Sequence, residues 1–281
     1  MEEMENMEII YTDTSESMPF SKERAYNLIM LDVLLNGVRV PMVFDTGGMG
    51  TVISESVARQ VGTRDTGRTF QASGNAGGSV HGHMDVVECL QIGQSQVLHK
   101  NVAVLPDEAL HFASEEDGNP VQISGLLGWD IIQHFRWIID LRKNILCLEQ
   151  SSGQPSEPNM AWDTMPLIRM TFDGQSLYFG FDSGNTETVL GQQMLPLVGK
   201  TKEKTDTSMG VDGILEEKVQ VADHLELTIG RQVIRLENIP IVHRDVFPTK
   251  NVKAMGLLAV DILQGRMFMI DFPNLHFEIL E

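Results

Sequence analysis

VPMVFDTGGMGTVIS (residues 40–54) is the most informative segment of this 281-residue sequence. A single carboxylate, that of Asp45, follows a mostly apolar run and precedes two glycines. A short apolar run before a glycine pair predicts a buried strand that ends in a tight turn. On its own, an Asp-Thr-Gly step is equally typical of an ordinary turn in which the aspartate caps the bend. A second stretch, LYFGFDSGNTETVLG (177–191), repeats the arrangement around Asp182, 137 residues later.

The repeat extends well beyond the two aspartates. At the offset of 137 residues four further pairs of segments coincide: Asn36-Gly37 with Asp173-Gly174, Thr51-Val52-Ile53 with Thr188-Val189-Leu190, Ile92-Gly93 with Ile229-Gly230, and NVAV (101–104) with NIPI (238–241). After a six-residue slip in the polar loop 106–121, GLLGWDII (125–132) matches GLLAVDIL (256–263). Insertions in a surface loop cost little, and so many matches in one register indicate a duplicated lobe.

Each copy is predicted to consist of β-strands. The Asn-Gly pair at 36–37 separates two apolar runs, and this dipeptide is the strongest short signal for a β-hairpin. The expected elements are strands over 26–35, 38–44, 79–93 and 96–105 and two short helices over 54–61 and 129–135, the first capped by Ser54. The sequence therefore predicts a mostly β protein with two homologous, closed, β-barrel-like lobes and a cleft between them.

The lobe boundaries follow from composition. A segment rich in Ser, Pro and Gly, EQSSGQPSEPNMAW (149–162), separates the two copies and is typical of a linker. The predicted units are a partly ordered N-terminal extension (1–24), an N-terminal lobe (25–149), the linker (150–162) and a C-terminal lobe (163–281).

Charge and apolar content exclude several classes of function. The formal net charge of −18 disfavours nucleic acids, which are bound by clustered Lys and Arg, and no apolar run reaches the roughly 18 residues of a membrane span. The acidic N-terminus MEEMENMEII does not resemble a secretory signal, which leaves open a cytoplasmic protein or an exported one whose leader lies outside this sequence. Cys89 and Cys147 are predicted to be buried free thiols, because disulfide frameworks use more cysteines in shorter chains.

The duplicated aspartates have a shared chemistry if they meet. A two-fold duplication brings equivalent positions together near its axis, and two carboxylates within about 3 Å share one proton. One can then act as general base on a water while the other acts as general acid. Thr46 and Ser183 are predicted to hydrogen-bond to the backbone of the opposite lobe, and Gly47 and Gly184 permit close approach because they lack a Cβ.

These motifs resemble the retropepsin-like and pepsin-like aspartic peptidases. The likeness rests on the duplicated Asp-[Thr/Ser]-Gly, on GLLGWDII and GLLAVDIL, and on the following WIIDLRKNILCL (137–148) and FMIDFPNLHFEI (268–279). It covers residues from about 26 to 281 and implies an acid-protease fold with both halves of the site in one chain, so that a monomer suffices. It also implies catalysis by Asp45 and Asp182, whose pairing is the standard example of a shared proton.

Two further features follow from the resemblance. The strands 125–128 and 256–259 are expected to pass behind the catalytic turns. Gly48 and Asn185 stand where the family usually places Ala, Ser or Thr, so Gly48 is expected to loosen its turn and Asn185 to add a polar side chain beside the aspartates.

Two hairpins are candidates for flaps over the cleft. The first is FQASGNAGGSVHG (70–82) and the second is TDTSMGVDGILEE (205–217). Glycine-rich tips suit a mobile lid, although a merely flexible hairpin explains the same pattern. The first lacks the Tyr of pepsin-like flaps. The candidate flap residues are Phe70, Ser73, Gly74, Asn75, Gly77, Gly78, Met209 and Gly210.

The predicted function is that of an aspartic endopeptidase acting on a peptide or protein substrate, without a metal or an organic cofactor. The two histidines of HGH (81–83) lack a third ligand nearby and are read as rim residues. The alternative is an inactive pseudo-peptidase that binds peptides, motivated by Asn185 and the missing flap Tyr. A hydrolase of carbohydrates or polyesters also remains open; glycosidases need carboxyl groups about 5–9 Å apart, whereas a proton-sharing pair needs contact.

Overall fold

The structure is a computed structural model that describes residues 7–11, 15–22, 27–72, 78–113, 120–151, 153, 157–263 and 265–280. In chain order, the strands of the first half are β1 (Glu8–Ile10), β2 (Glu16–Pro19), β3 (Ser21–Lys22), β4 (Ile29–Leu35), β5 (Val38–Phe44), β6 (Val52–Ser54), β7 (Arg64–Ala72), β8 (Val80–Ile92), β9 (Ser95–Leu105), β10 (His111–Ala113), β11 (Pro120–Gln122), β12 (Gly125–Leu127), β13 (Arg136–Asp140) and β14 (Ile145–Glu149).

The strands of the second half are β15 (Met160–Trp162), β16 (Pro166–Phe172), β17 (Gln175–Phe181), β18 (Val189–Leu190), β19 (Thr201–Gly210), β20 (Gly213–Ile229), β21 (Gln232–Val242), β22 (Ala254–Leu258), β23 (Met267–Asp271) and β24 (His276–Ile279). Helices are short: α1 (Glu55–Val61), α2 (Trp129–Ile132) and three 3₁₀ turns at Asp107–Leu110, Gln192–Met194 and Val260–Leu263. Within the described ranges, no helix is long and apolar enough to cross a membrane.

Each half forms a sheet that curls back on itself. In the first sheet the order β9-β6-β12-β5-β4-β8 returns to its start through the pairing of β8 with β9. The second sheet repeats this order with β21-β18-β22-β17-β16-β20, and β20 also pairs with β21. Its ring is completed by one residue pair, Thr171 with Thr228. The mostly β, duplicated architecture expected from the sequence is confirmed.

The duplicated hairpin turns have the same backbone conformation. Asn36 and Gly37 have φ values of 49° and 82°, and their counterparts Asp173 and Gly174 have 46° and 75°. Two successive positive φ values define the turn type that Asn-Gly and Asp-Gly favour, because its twist matches that of the flanking strands. The turn pins the register of each hairpin and so fixes where β5 and β17 end.

A third sheet joins the two halves and packs against the strands that precede Asp45 and Asp182. Its order is β2-β14-β13-β23-β24, so it takes strands from the N-terminal segment and from the ends of both copies. Phe44 and Phe181, which directly precede the two aspartates, are fully buried. The ring of Phe44 meets that of Trp137 on β13 at 4.9 Å, and the ring of Phe181 meets that of Phe277 on β24 at 5.4 Å.

Three details differ from the sequence expectations. Helix α1 begins as predicted, with the Ser54 hydroxyl accepting the N–H of Val57, but α2 ends at Ile132 rather than at 135. Cys89 and Cys147 are free, as expected, yet both are half-buried, because each lies in a strand whose faces are only partly covered. Part of the segment expected to be a linker forms β15, which pairs with β16. The lobe boundaries themselves stay a prediction.

Candidate active site

The two aspartates follow equivalent strands and are held by equivalent backbone contacts. Asp45 comes directly after β5, and its N–H donates to the carbonyl of Leu127 at 3.0 Å. Asp182 comes directly after β17, and its N–H donates to the carbonyl of Leu258 at 2.9 Å. Leu127 and Leu258 belong to the two Gly-Leu-Leu strands, β12 and β22, which run parallel to β5 and β17. Each turn therefore rests on the strand that the family resemblance assigned to it.

The residues after the aspartates lock the two turns together. The Thr46 N–H donates to the Ser183 hydroxyl at 3.0 Å, and the Ser183 N–H donates to the Thr46 hydroxyl at 2.9 Å. The Thr46 hydroxyl in turn donates to the carbonyl of Phe181 at 2.9 Å, and the Ser183 hydroxyl donates to that of Phe44 at 2.6 Å. Both side chains are fully buried. The predicted hydrogen bonds to the opposite lobe are thus present in both directions.

The glycines let each turn press against the opposite carboxyl group. A Cβ on Gly47 would lie 2.3 Å from the carboxyl carbon of Asp182, and a Cβ on Gly184 would lie 2.5 Å from Oδ1 of Asp45. Real Cβ contacts are not this short, so both positions require glycine. The four candidate supporting residues, Thr46, Gly47, Ser183 and Gly184, surround the two carboxyl groups, which hydrogen-bond to each other.

The environments of the two carboxyl groups differ. Oδ1 of Asp45 accepts the N–H groups of both Gly47 and Gly48, each at 3.0 Å. Oδ1 of Asp182 accepts the N–H of Gly184 at 2.8 Å, whereas the N–H of Asn185 donates to the main-chain carbonyl of Asp182. Hydrogen bonds from N–H groups stabilise an ionised carboxylate, so Asp45 is the better place for the negative charge.

Burial is the largest cause of the pKa shifts in this pair. It raises the pKa of Asp45, and the hydrogen bonds from Asp182, Gly48 and Gly47 oppose that rise. The pKa of Asp182 is raised well above its ordinary value by burial first, then by the charge of Asp45 and by their hydrogen bond. The arrangement therefore favours a pair that holds one proton, placed on Asp182.

Gly48 and Asn185 behave differently from the sequence expectation. Gly48 does not loosen its turn, because its N–H is bonded to Asp45 and a Cβ there would lie 2.7 Å from Oδ2 of Asp45. Asn185 is occupied within its own turn: its side chain accepts the N–H of Thr186 at 2.9 Å and donates to the carbonyl of Glu187 at 3.2 Å. The polar group at 185 is thus engaged by local backbone rather than by the aspartates.

Two duplicated acids, Asp130 and Asp261, hydrogen-bond to the segments that follow the two aspartate turns. Asp130 accepts the hydroxyl of Thr51 at 2.7 Å, and Asp261 accepts the hydroxyl of Thr188 at 2.6 Å. The copies differ in one partner: Nζ of Lys100, 10% exposed, lies 2.6 Å from Oδ2 of Asp130. The offset of 137 places the exposed Glu237 at the equivalent position.

The two candidate flap hairpins touch. β7 and β8 form the first and β19 and β20 the second. The N–H of Gly78, at the base of the first tip, donates to Oδ2 of Asp212 in the turn of the second at 3.0 Å. Gly210 pairs with Gly213 beside that turn. Phe70 lies lower in the first hairpin, against Gly82. Four candidate flap residues, Ser73, Gly74, Asn75 and Gly77, lie outside the described residues, and of Met209 only the backbone is described.

Sequence reasoning missed two contributors to this region. Asp212 sits at a hairpin tip and is one acid among many, so nothing in the sequence singled it out. Lys100 had a weak signal, since it falls on a strand of alternating apolar residues at a position that faces inward.

The comparisons with known proteins agree with this geometry. Residues 31–131 match the sequence model of the family described as aspartyl protease. The crystal structure of the aspartic proteinase from Irpex lacteus is similar with a TM-score of 0.55 at 10% identity, over 95% of this chain and 97% of that one. No curated protein matches the chain by sequence.

These findings agree on the fold. Residues 31–131 match the aspartyl protease family by sequence, and the chain shares the fold of the Irpex lacteus aspartic proteinase over nearly its full length. The resemblance seen in the sequence motifs is confirmed.

Proposed function

We propose that the protein is an aspartic endopeptidase in which Asp45 and Asp182 together activate a water molecule. The observation that carries this proposal is the meeting of the two carboxyl groups, each of which lies against the glycine of the opposite turn and has a raised pKa. Between its two ionisation steps, such a pair holds one charge and one proton, which are the general base and the general acid that acid–base hydrolysis needs.

The hydrogen bonds assign different roles to the two residues. Asp45, which accepts two N–H groups, is the carboxylate that takes a proton from water as the water oxygen bonds to the peptide carbonyl carbon. Asp182, which holds the shared proton, donates it to the carbonyl oxygen and so yields a tetrahedral diol. The C–N bond then breaks as the proton on Asp45 passes to the leaving nitrogen, and one diol hydroxyl returns its proton to the pair.

The same geometry bears on the rival hydrolase. Glycosidases need carboxyl groups about 5–9 Å apart, to leave room for a water or to form a glycosyl intermediate. Here the carboxyl groups bond to each other and each lies against the glycine of the opposite turn. Contact of this kind supports proton sharing and hence peptide hydrolysis.

The substrate is proposed to be an extended peptide segment lying between the turns and the two hairpins. Extended peptides bind by pairing with exposed strand edges, and glycine-rich tips permit a covering hairpin to move aside. Because Gly78 and Asp212 join the hairpin tips, the substrate must thread beneath them or part them.

The test is cleavage of a mixed peptide library from pH 3 to 8, read by mass spectrometry. Asp45→Asn and Asp182→Asn should each lower cleavage by about 10²–10⁴-fold, the usual contribution of a general acid or base. Asp223→Asn, at an exposed surface ion pair with Lys202, is the matched control and should cut like the wild type. Cleavage retained in either Asp45→Asn or Asp182→Asn would contradict the proposal. Peptides that bind without being cut would instead favour the pseudo-peptidase.

A further inference from the structure

Two apolar clusters lie outside the main core, one in each half of the molecule. The first is built on Leu28, Val43 and Ile123, and the second on Met165, Leu167 and Leu257. Side chains alternate across a strand, so residues two apart face the same side. In β5, Phe44 faces the main core, and Val43 therefore faces the side that carries Asp45.

The second cluster has the same relation to Asp182. Phe179 and Phe181 of β17 are buried in the main core, so Gly180 faces the side that carries Asp182. Gly180 is paired with Leu257 of this cluster. Two residues along a strand span about 7 Å, which places Gly180 beside the catalytic turn.

The copies differ at this position. The offset of 137 aligns Val43 with Gly180, so the second half has no side chain where the first has a valine. The ring of Phe247 occupies that room: a Cβ on Gly180 would lie 2.7 Å from two of its ring carbons and 2.9 Å from Cδ1 of Leu257. Val43 is fully buried, whereas Phe247 is only half-buried.

The loop that carries Phe247 is firmly anchored. The carboxylate of Asp163 accepts the N–H groups of three successive loop residues, Lys250, Asn251 and Val252, at 2.8, 2.7 and 3.0 Å. Before Phe247 in the chain, Nη2 of Arg244 lies 2.7 Å from Oε1 of Glu217 in the second hairpin. The segment that carries Phe247 is therefore held on both sides in sequence, and a pre-organised segment suits a binding pocket.

We infer that Phe247 is a specificity-determining residue, which forms the wall of an apolar pocket beside Asp182 for a peptide side chain on one side of the cleaved bond. This inference rests on the proposed peptidase function. Because Phe247 fills the space above Gly180, the pocket is shallower than the backbone would permit. Its size is therefore set by residue 247 and, through contact, by residue 180.

The contact between the two residues provides a compensation test. Phe247→Ala should open the pocket and raise the preference for bulky over small apolar residues about tenfold. The change should appear on one side of the cleaved bond only. Room for one more methylene group in an apolar pocket changes kcat/KM by about this factor. Gly180→Ala should push the ring outward and shift the same preference in the opposite direction. The double variant Gly180→Ala/Phe247→Ala should return to a preference for bulky residues, because the added methyl then has room.

Three controls separate specificity from folding. Phe247→Leu keeps an apolar wall and should give an intermediate preference, while Gly199→Ala, which has open space around its Cβ, should leave the profile unchanged. Thermal unfolding of every variant shows whether the fold is kept. Two results would overturn the inference. One is a lower rate for Phe247→Ala without a change in preference on one side of the cut. The other is a double variant that does not return to a preference for bulky residues.

The inference and the proposed function can fail separately. If the wild type cuts peptides and Phe247→Ala leaves the preferences unchanged, the inference alone is wrong. If the wild type cuts nothing, binding of the same library is measured instead. The peptides bound by the Asp45→Asn protein are compared with those bound by the Asp45→Asn/Phe247→Ala protein. A shift toward bulkier bound peptides would then support the pocket without the peptidase. Identical bound peptides, or none, would contradict the pocket.

Discussion

Thr46 and Ser183 each accept the backbone N–H of the other, at 2.9 and 3.0 Å, across the boundary between the two copies. Each hydroxyl then donates to a carbonyl of the opposite strand. All four bonds are buried, so the relative position of the two aspartates depends on them. The two halves of the site are in this sense one structural unit.

Removing either hydroxyl should destabilise the protein. Thr46→Val leaves the N–H of Ser183 and the carbonyl of Phe181 without partners, and each unsatisfied buried group costs about 1–3 kcal/mol. Ser183→Ala should have a similar effect, and the double variant should lose less than the sum because the two residues share one network. Urea unfolding measures this, with the exposed Thr205→Val as control. If the losses in the free energy of unfolding are additive, or no larger than that of Thr205→Val, the two hydroxyls do not form one stabilising network.

A methyl group at Gly47 should strongly lower activity with the fold retained. The Cβ of Gly47→Ala would meet the carboxyl carbon of Asp182 at 2.3 Å, which forces the carboxyl group aside. A displacement of about 1 Å costs roughly 10²-fold in rate. The comparison is Gly199→Ala, whose Cβ meets nothing within 4 Å. Equal kcat/KM for these two variants and the wild type would show that the contact is not needed.

The ion pair of Lys100 and Asp130 should contribute more to stability than a surface pair. Lys100→Met leaves the Asp130 carboxylate, 24% exposed, without its cation. Breaking a fully buried pair costs about 3–5 kcal/mol, and the partial exposure of Asp130 lowers this figure. Lys202→Met, which breaks an exposed pair with Asp223, should cost less than about 1 kcal/mol. Thermal unfolding compares them; equal melting temperatures would refute the prediction.

Without bound peptide, the protein should lose stability as the pH rises through the raised pKa values of Asp45 and Asp182. Above the ordinary carboxyl pKa of about 4, the unfolded chain has released protons that the folded pair still holds. The unfolded state then binds fewer protons, so the free energy of unfolding falls with pH until the folded pair has ionised as well. Asp182→Asn removes this contribution and should flatten the curve above pH 4, whereas Asp223→Asn should follow the wild type. Urea unfolding at several pH values measures it, and a parallel curve for Asp182→Asn would contradict the assignment.

The sequence predicted the duplicated parts of this site and not its asymmetries. Asp45, Asp182, Thr46 and Ser183 were identifiable because the motif occurs twice in one register, and duplicated strands must end at equivalent places. The expectation for Gly48 was wrong, because its backbone N–H donates a hydrogen bond to Asp45. The direction of a backbone N–H group cannot be read from the type of residue.

Long-range packing accounts for the rest. Phe247 lies in a loop with no counterpart in register, and its contact with Gly180 joins segments that are 67 residues apart in the chain. The hydrogen bond from Gly78 to Asp212 likewise depends on how two hairpins from different halves approach each other. Strand periodicity fixes the faces of a sheet but leaves such contacts between distant segments undetermined.

The pH dependence of kcat/KM for a peptide taken from the library screen reports whether Asp45 and Asp182 act as one proton-sharing pair. If Asp45 and Asp182 share one proton, the profile should be bell-shaped, falling at low pH as the pair gains a second proton and at high pH as it loses the only one. Asp45→Asn and Asp182→Asn should each remove the bell along with the activity. A profile with a single limb, or a bell that survives either substitution, would show that the two aspartates do not act as a pair.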